Sequence, residues 1–138
     1  MIKLFLDDIR IPKDAINLIP SHLNNFYWDN DWVIVKNHDE FSNYINLNGI
    51  PDFISFDHDL ADFHYEFKTE DYENMSEEEM ILKFGSMEKT GLDCAKWLVE
   101  YCLNNDTKLP DYIVHSANPA GKENIEKYLF NAKKVLNI

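Results

Sequence analysis

Ile2-Lys3-Leu4-Phe5-Leu6-Asp7-Asp8 is the stretch on which the reading of this chain turns. A short apolar run that stops at two acids has the pattern of a strand covered on both faces in a parallel sheet, with its polar residues held back to the strand end. Three later runs repeat the pattern. Trp32-Val33-Ile34-Val35 is followed by Asn37 and Glu40, which have the spacing of a capping box. Phe41, Tyr44, Ile45 and Asn48 then recur at helical spacing, and Gly49 stands where a helix can end. Phe53-Ile54-Ser55-Phe56 ends at Asp57-His58-Asp59, and Tyr112-Ile113-Val114 ends at His115-Ser116. Between these two runs, Thr90 can cap a helix whose Leu92, Ala95, Leu98 and Cys102 share a face. Asn118 can cap a last helix, with Pro119 at its first position and Ile125, Tyr128 and Leu129 on its apolar side.

Alternation of strands and helices predicts one α/β domain over residues 1–138. The expected architecture is a flavodoxin-like three-layer sandwich, with helices on both faces of a mostly parallel sheet ordered 2-1-3-4. Two segments are less regular. Residues 11–26 contain Pro12 and Pro20 and read as a poor first helix or a loop. Asn131 to Ile138 reads as the end of the last helix or as a fifth, edge strand. Residues 62–89 interrupt the alternation with nine acids and three lysines, half of the net charge of the chain. Within them Ser76 and Glu79 fit a capping box, and Gly85 can close a short helix. An insertion after the third strand sits at the rim where such folds bind ligands, so it is either a lid or a solvated acidic loop.

Composition narrows the function classes. The chain is 45% hydrophobic and 14% aromatic, enough for a core without metal or disulfide staples. Thirteen cations face 25 acids, a formal charge of −12. Such a field repels polyanions, which argues against a partner of duplex nucleic acid. No apolar run approaches the roughly 18 residues of a membrane span, and a membrane partner is not expected. Two early acids, Asp7 and Asp8, do not suit a signal peptide. Cys94 and Cys102 lie two helical turns apart and read as core thiols, so a reducing, cytoplasmic setting is expected. Trp28, Trp32 and Trp97 read as core residues, His22 as surface, His38 as a helix-start residue, and His64 as part of the insertion.

The remaining polar residues obey one rule. Asp7, Asp8 and Arg10 follow the first strand, Asp57, His58 and Asp59 the third, and His115 and Ser116 the fourth. In an open α/β sheet these carboxyl ends converge on a crevice at the switch point between strands one and three. Asp7, Asp8 and Asp57 can hold a hard cation such as Mg²⁺. Without a metal, neighbouring carboxylates raise one another's pKa and become proton carriers. His58 and His115 can act as an acid/base pair across a phosphate. Arg10, the one arginine beside twelve lysines, offers a bidentate fork for phosphate oxygens. Lys122 and the first amides of the Pro119 helix can add to it.

Leu4-Phe5-Leu6-Asp7-Asp8-Ile9-Arg10-Ile11-Pro12, Ser55-Phe56-Asp57-His58-Asp59-Leu60, Thr90-Gly91 and His115-Ser116-Ala117-Asn118-Pro119-Ala120-Gly121-Lys122-Glu123-Asn124-Ile125 together resemble the cyclic-phosphate-processing receiver-like domains. These are relatives of the response-regulator receiver domain. The resemblance covers nearly the whole chain apart from 62–89. It implies a receiver-like fold and action on a cyclic phosphate of a nucleotide or RNA end. The expected roles are His58, His115, Asp57 and Asp8 in catalysis, and Arg10, Ser116, Asn118 and Lys122 in substrate binding. Asp7, Asp8 and Asp57 are a candidate Mg²⁺ site, and Asp59 is a support for the histidines. A receiver domain itself carries an acidic pair, a phospho-acceptor Asp and a hydroxyl, which Asp7, Asp8, Asp57 and Ser116 match. His58, His115 and Arg10 lie outside that pattern, and the lysine after a fifth strand has no clear counterpart. Two rivals to turnover therefore stand: an Mg²⁺-binding or phospho-acceptor signalling module, and a protein-binding module acting through the acidic insertion.

Overall fold

A computed structural model describes residues 1–60 and 90–136. The 62–89 insertion, with its lid reading and with His64, lies outside the described residues, as do 137 and 138.

Four strands form one parallel sheet in the order β2-β1-β3-β4. They are β1 (Lys3–Leu6), β2 (Val33–Val35), β3 (Phe53–Phe56) and β4 (Asp111–Val114). The helices are α1 (Asn24–Tyr27), α2 (His38–Asn48), α3 (Gly91–Asn105) and α4 (Pro119–Leu136). α4 runs through 131–136, so those residues end a helix, and among the described residues the sheet has four strands.

Local signals set the helix ends. Asn37 Oδ1 accepts from the Glu40 amide at 2.8 Å, and Gly49 closes α2 at φ 87°, which a side chain would resist. Thr90 and Asp93 form a reciprocal capping box at the start of α3. The Asn118 side chain caps α4 by accepting from the Gly121 amide at 3.0 Å.

Alternation along the strands builds two cores. Leu4, Leu6, Val35, Ile54, Phe56 and Val114 face the larger one, which α2, α3 and α4 close with Phe41, Ile45, Leu98, Ile125 and Leu129. Cys94 and Cys102 are buried there, as expected. Phe5, Phe53 and Ile113 face the other way, toward Ala15, Tyr27 and Trp32. Right-handed crossovers explain the division: the β1–β2 connection returns on one face, while the β2–β3 and β3–β4 connections return on the other. The three long helices among the described residues therefore share a face. The opposite face is roofed by residues 12–27, two 3-10 segments and the single turn of α1. Phe26 of this roof and the residues just after it hold Lys3, which is 3% exposed. It bridges Asp29 at 2.6 Å and Asp31 at 2.7 Å, and it lies over the Phe26 and Trp32 rings. Trp32 is core and Trp97 packs against the larger core, but Trp28 is 56% exposed under Lys13.

Phe5 centres the smaller core, edge-on to Tyr27 and Trp32 and stacked on His115. Phe5→Ala should cost about 3–5 kcal/mol in urea unfolding, as a fully buried ring leaves a cavity. Ile34→Ala, on a half-covered edge strand, should cost below about 1 kcal/mol. Equal losses would contradict this division of the core.

Candidate active site at the strand ends

Asp7 is placed by β1 and is almost wholly buried. An ionised carboxylate there must have its oxygens satisfied. Oδ1 accepts from the Ile9 and Arg10 amides, both at 2.9 Å. Oδ2 lies 3.0 Å from His115 Nε2 and 3.5 Å from the Arg10 guanidinium. Burial pushes the Asp7 carboxyl up. Hydrogen bonds from His115 and from the Arg10 and Ile9 amides outweigh that and hold it below the ordinary carboxylate range.

His115 is enclosed completely, its ring stacked on Phe5 at 4.4 Å and 6°. Burial, opposed by Asp7, lowers its pKa and favours the neutral ring. The Asp7 carboxylate can only accept, so Nε2 carries the proton and Nδ1 is an acceptor. Ser55 Oγ lies 2.6 Å from Nδ1 and 2.5 Å from the Tyr27 hydroxyl. The donors then run in one direction: Tyr27 to Ser55, Ser55 to His115, His115 to Asp7.

Asp57 stands beside this chain. One ligand atom each of Asp7, Asp57 and His115 fall within 4.8 Å of one another. Asp57 accepts from the His58 amide at 2.9 Å. Burial first, and then the Asp7 charge, push its carboxyl up to about 7. Asp8, half-buried, adds to that repulsion, and Arg10 opposes it. Hard oxygen donors that repel one another suit a divalent cation such as Mg²⁺. Among the described residues the group close enough to share a cation is Asp7, Asp57 and His115, and Asp8 is not within that group.

His58 has different surroundings. Strand parity puts it on the α4 side, where its ring covers Gly121, and a Cβ there would overlap the ring. His58 Nδ1 is 2.9 Å from Asp59 Oδ1, and Asn118 Nδ2 reaches Asp59 Oδ2 at 3.5 Å. The two imidazoles thus do not face each other: His115 lies against Phe5 and His58 against the first turn of α4. Ser116 Oγ accepts from the Asn118 amide at 3.1 Å and so shapes the turn into α4, while Lys122 stands half-buried on its first turn.

The strand-end residues therefore form two adjoining groups. Asp7, Arg10, Asp57 and His115 make one, and His58, Asp59 and Asn118 the other, joined by the Asp57–His58 peptide. Four residues join them that strand-end reasoning did not single out: Tyr27, Ser55, Gly91 and Gly121. The chain has four glycines; Gly91 opens α3 and Gly121 lies in the first turn of α4. At Gly91 a Cβ would overlap the Asp57 carbonyl oxygen, and the Gly91 amide donates to the His58 carbonyl at 2.8 Å. Glycine at a helix start, where no left-handed cap is needed, was the available signal. For Ser55 it was a polar residue within an apolar strand.

The raised Asp57 carboxyl has a stability consequence. Between about 3.8 and about 7 the folded state holds a proton that the unfolded state has released, so Asp57 costs stability as pH rises through that window. The full difference corresponds to roughly 4 kcal/mol. Asp7 and His115, both lowered, act in the opposite sense and lose stability on acidification. Asp57→Asn should therefore gain on the wild type in chemical unfolding as pH rises from about 4 to about 7. A pH-independent difference between the two would mean that Asp57 titrates at its ordinary value.

No curated protein and no solved structure matches the chain. A family model described as the cyclic-phosphate processing receiver domain matches residues 2–131. The match takes in every strand, the polar strand ends and the start of α4, and the chain belongs to the family of cyclic-phosphate processing receiver domains.

Proposed function

We propose that the strand-end site hydrolyses a cyclic phosphate carried by a nucleotide or an RNA end. The observation that carries the mechanism is the His58–Asp59 contact at 2.9 Å, on a side chain that is 17% exposed. The Asp59 carboxylate accepts from Nδ1–H, which leaves the Nε2 lone pair as a proton acceptor. His58 Nε2 takes a proton from water as the water oxygen forms a bond to phosphorus. One ester P–O bond of the ring then breaks, and the leaving oxygen takes that proton back from His58. The product is a phosphomonoester with a new hydroxyl. His115, with both ring nitrogens engaged, orients Asp7 rather than exchanging protons with substrate, which divides the pair of histidines expected at the strand ends. Arg10 is partly exposed, 33% by its side chain, and its fork and Lys122 bind the phosphate oxygens. Asn118 and Ser116 hold the turn that presents the first amides of α4. A divalent cation held by Asp7 and Asp57 would neutralise phosphate charge. The reading implies no membrane and no duplex partner, and it suits a cytoplasmic setting; no helix of the described residues is long and apolar enough to cross a membrane.

A panel of 2′,3′- and 3′,5′-cyclic nucleotides tests the reaction by release of the opened monoester. His58→Ala should lower kcat by about 10²–10⁴. Arg10→Ala should weaken affinity for the cyclic phosphate about tenfold, a loss of about 1.4 kcal/mol, with a smaller loss in Arg10→Lys. Wild-type protein that opens no member of the panel overturns the reading.

The carboxylate cluster makes a separate prediction. Mg²⁺ at about 100 times its Kd should stabilise the wild type by about 2.7 kcal/mol in thermal melts. Asp57→Asn should lose most of that gain. An equal Mg²⁺ effect on both proteins would remove Asp57 from the cation site.

A further inference from the structure

We infer that Tyr27 and Ser55 are positioning residues of the site, acting through His115 to fix the donor that orients Asp7. The inference rests on the proposed cyclic-phosphate reaction for its kinetic consequence, but its geometry stands without it.

Asp7 is a buried carboxylate at the strand ends, and both of its oxygens are already committed. Its orientation depends on His115 donating from Nε2. A neutral imidazole can instead carry its proton on Nδ1, and then Nε2 would turn a lone pair toward the Asp7 carboxylate. What disfavours that tautomer is a donor aimed at Nδ1, and Ser55 Oγ, 2.6 Å away, supplies it. A serine hydroxyl has one hydrogen. For Ser55 to spend it on Nδ1, its oxygen must be the acceptor in its contact with Tyr27, 2.5 Å away. Burial raises the Tyr27 pKa, so that hydroxyl keeps its proton and remains a donor. Each bond in this buried chain polarises the next, which strengthens the Nε2–H donor at its end.

The placement matches such a role better than a packing role. Tyr27 comes from α1, on the short-helix face, and Ser55 interrupts an apolar strand; both are fully buried. Phe at 27 and Ala at 55 would fill nearly the same space. Their hydroxyls meet each other and His115, and the chain they begin ends at the acid/base crevice. Hydroxyls that hold a site histidine from behind in this way fix its orientation, and loss of such partners commonly costs about 10–100-fold in function.

The test combines nitrogen NMR of the His115 ring with kinetics. In the wild type, Nε2 should give a protonated, slowly exchanging signal, and Nδ1 the signal of a hydrogen-bonded acceptor. Ser55→Ala should shift Nδ1 to an unbonded acceptor and speed Nε2–H exchange. It should also lower kcat about tenfold or more, with KM little changed. Tyr27→Phe keeps the ring and should give the same changes in smaller measure, about two- to threefold in kcat, because only the second donor is lost. Leu98→Ala, in the larger core on the other face of the sheet, should lower stability without moving the His115 signals. If Ser55→Ala and Tyr27→Phe lower the melting temperature but leave the ring signals and kcat as in the wild type, the positioning role is overturned. If the wild type turns over no cyclic phosphate, the reaction reading fails and the ring signals still decide the positioning role.

Discussion

A nearly inaccessible carboxylate at the end of the central strand governs this structure. Asp7 cannot stay ionised in that place unless every lone pair facing the protein is met by a donor, and the cost of failing is several kcal/mol. Two backbone amides meet one oxygen and bend the chain sharply after β1. A histidine from β4, two strands away, meets the other. That second bond spans 108 residues of sequence and ties the end of β4 to the end of β1 across β3. Asp57, buried beside Asp7 without such donors to both oxygens among the described residues, is pushed up by burial first and by the Asp7 charge second, so one carboxyl of the pair sits low and the other near neutrality.

The division of labour between the two histidines follows from strand parity. β4 alternates Ile113, Val114, His115, and Val114 points into the core of the long helices, so His115 shares the Phe5 side with Ile113. β3 puts Phe56 toward the long helices and so sends His58 the same way. Identical side chains at adjacent strand ends therefore meet different environments. One becomes a buried neutral donor. The other keeps a carboxylate at its back and packs over Gly121 at the start of α4.

Much of this could be read from the residues. The four strands, their order and the caps at Asn37, Thr90 and Asn118 follow from short apolar runs and local polar punctuation, which need no knowledge of distant contacts. The collection of Asp7, Asp57 and His115 at one edge follows from topology. The parity that separates His58 from His115 was also present in Phe56 and Val114, but strand-end placement by itself does not express it. Tyr27 was beyond reach for a different reason. Residues 12–27 have neither helical nor strand period, being built of 3-10 segments and one α turn, so nothing local says which side chain turns inward. The exposure of Trp28 beside the burial of Tyr27 is decided by tertiary packing alone.

That irregular roof separates two kinds of stability within one domain. The sheet and the three long helices described share one extensive core, whereas residues 12–27 are held by a small aromatic cluster and by Lys3 over the Phe26 ring. Segments with few regular backbone hydrogen bonds open at lower free energy than the strands they cover. A local opening that lifts α1 would part Tyr27 from Ser55 while leaving the β1-β3-β4 ladder whole. The outermost hydroxyl of the buried chain is thus carried by an irregular segment, while its inner members stand on the sheet.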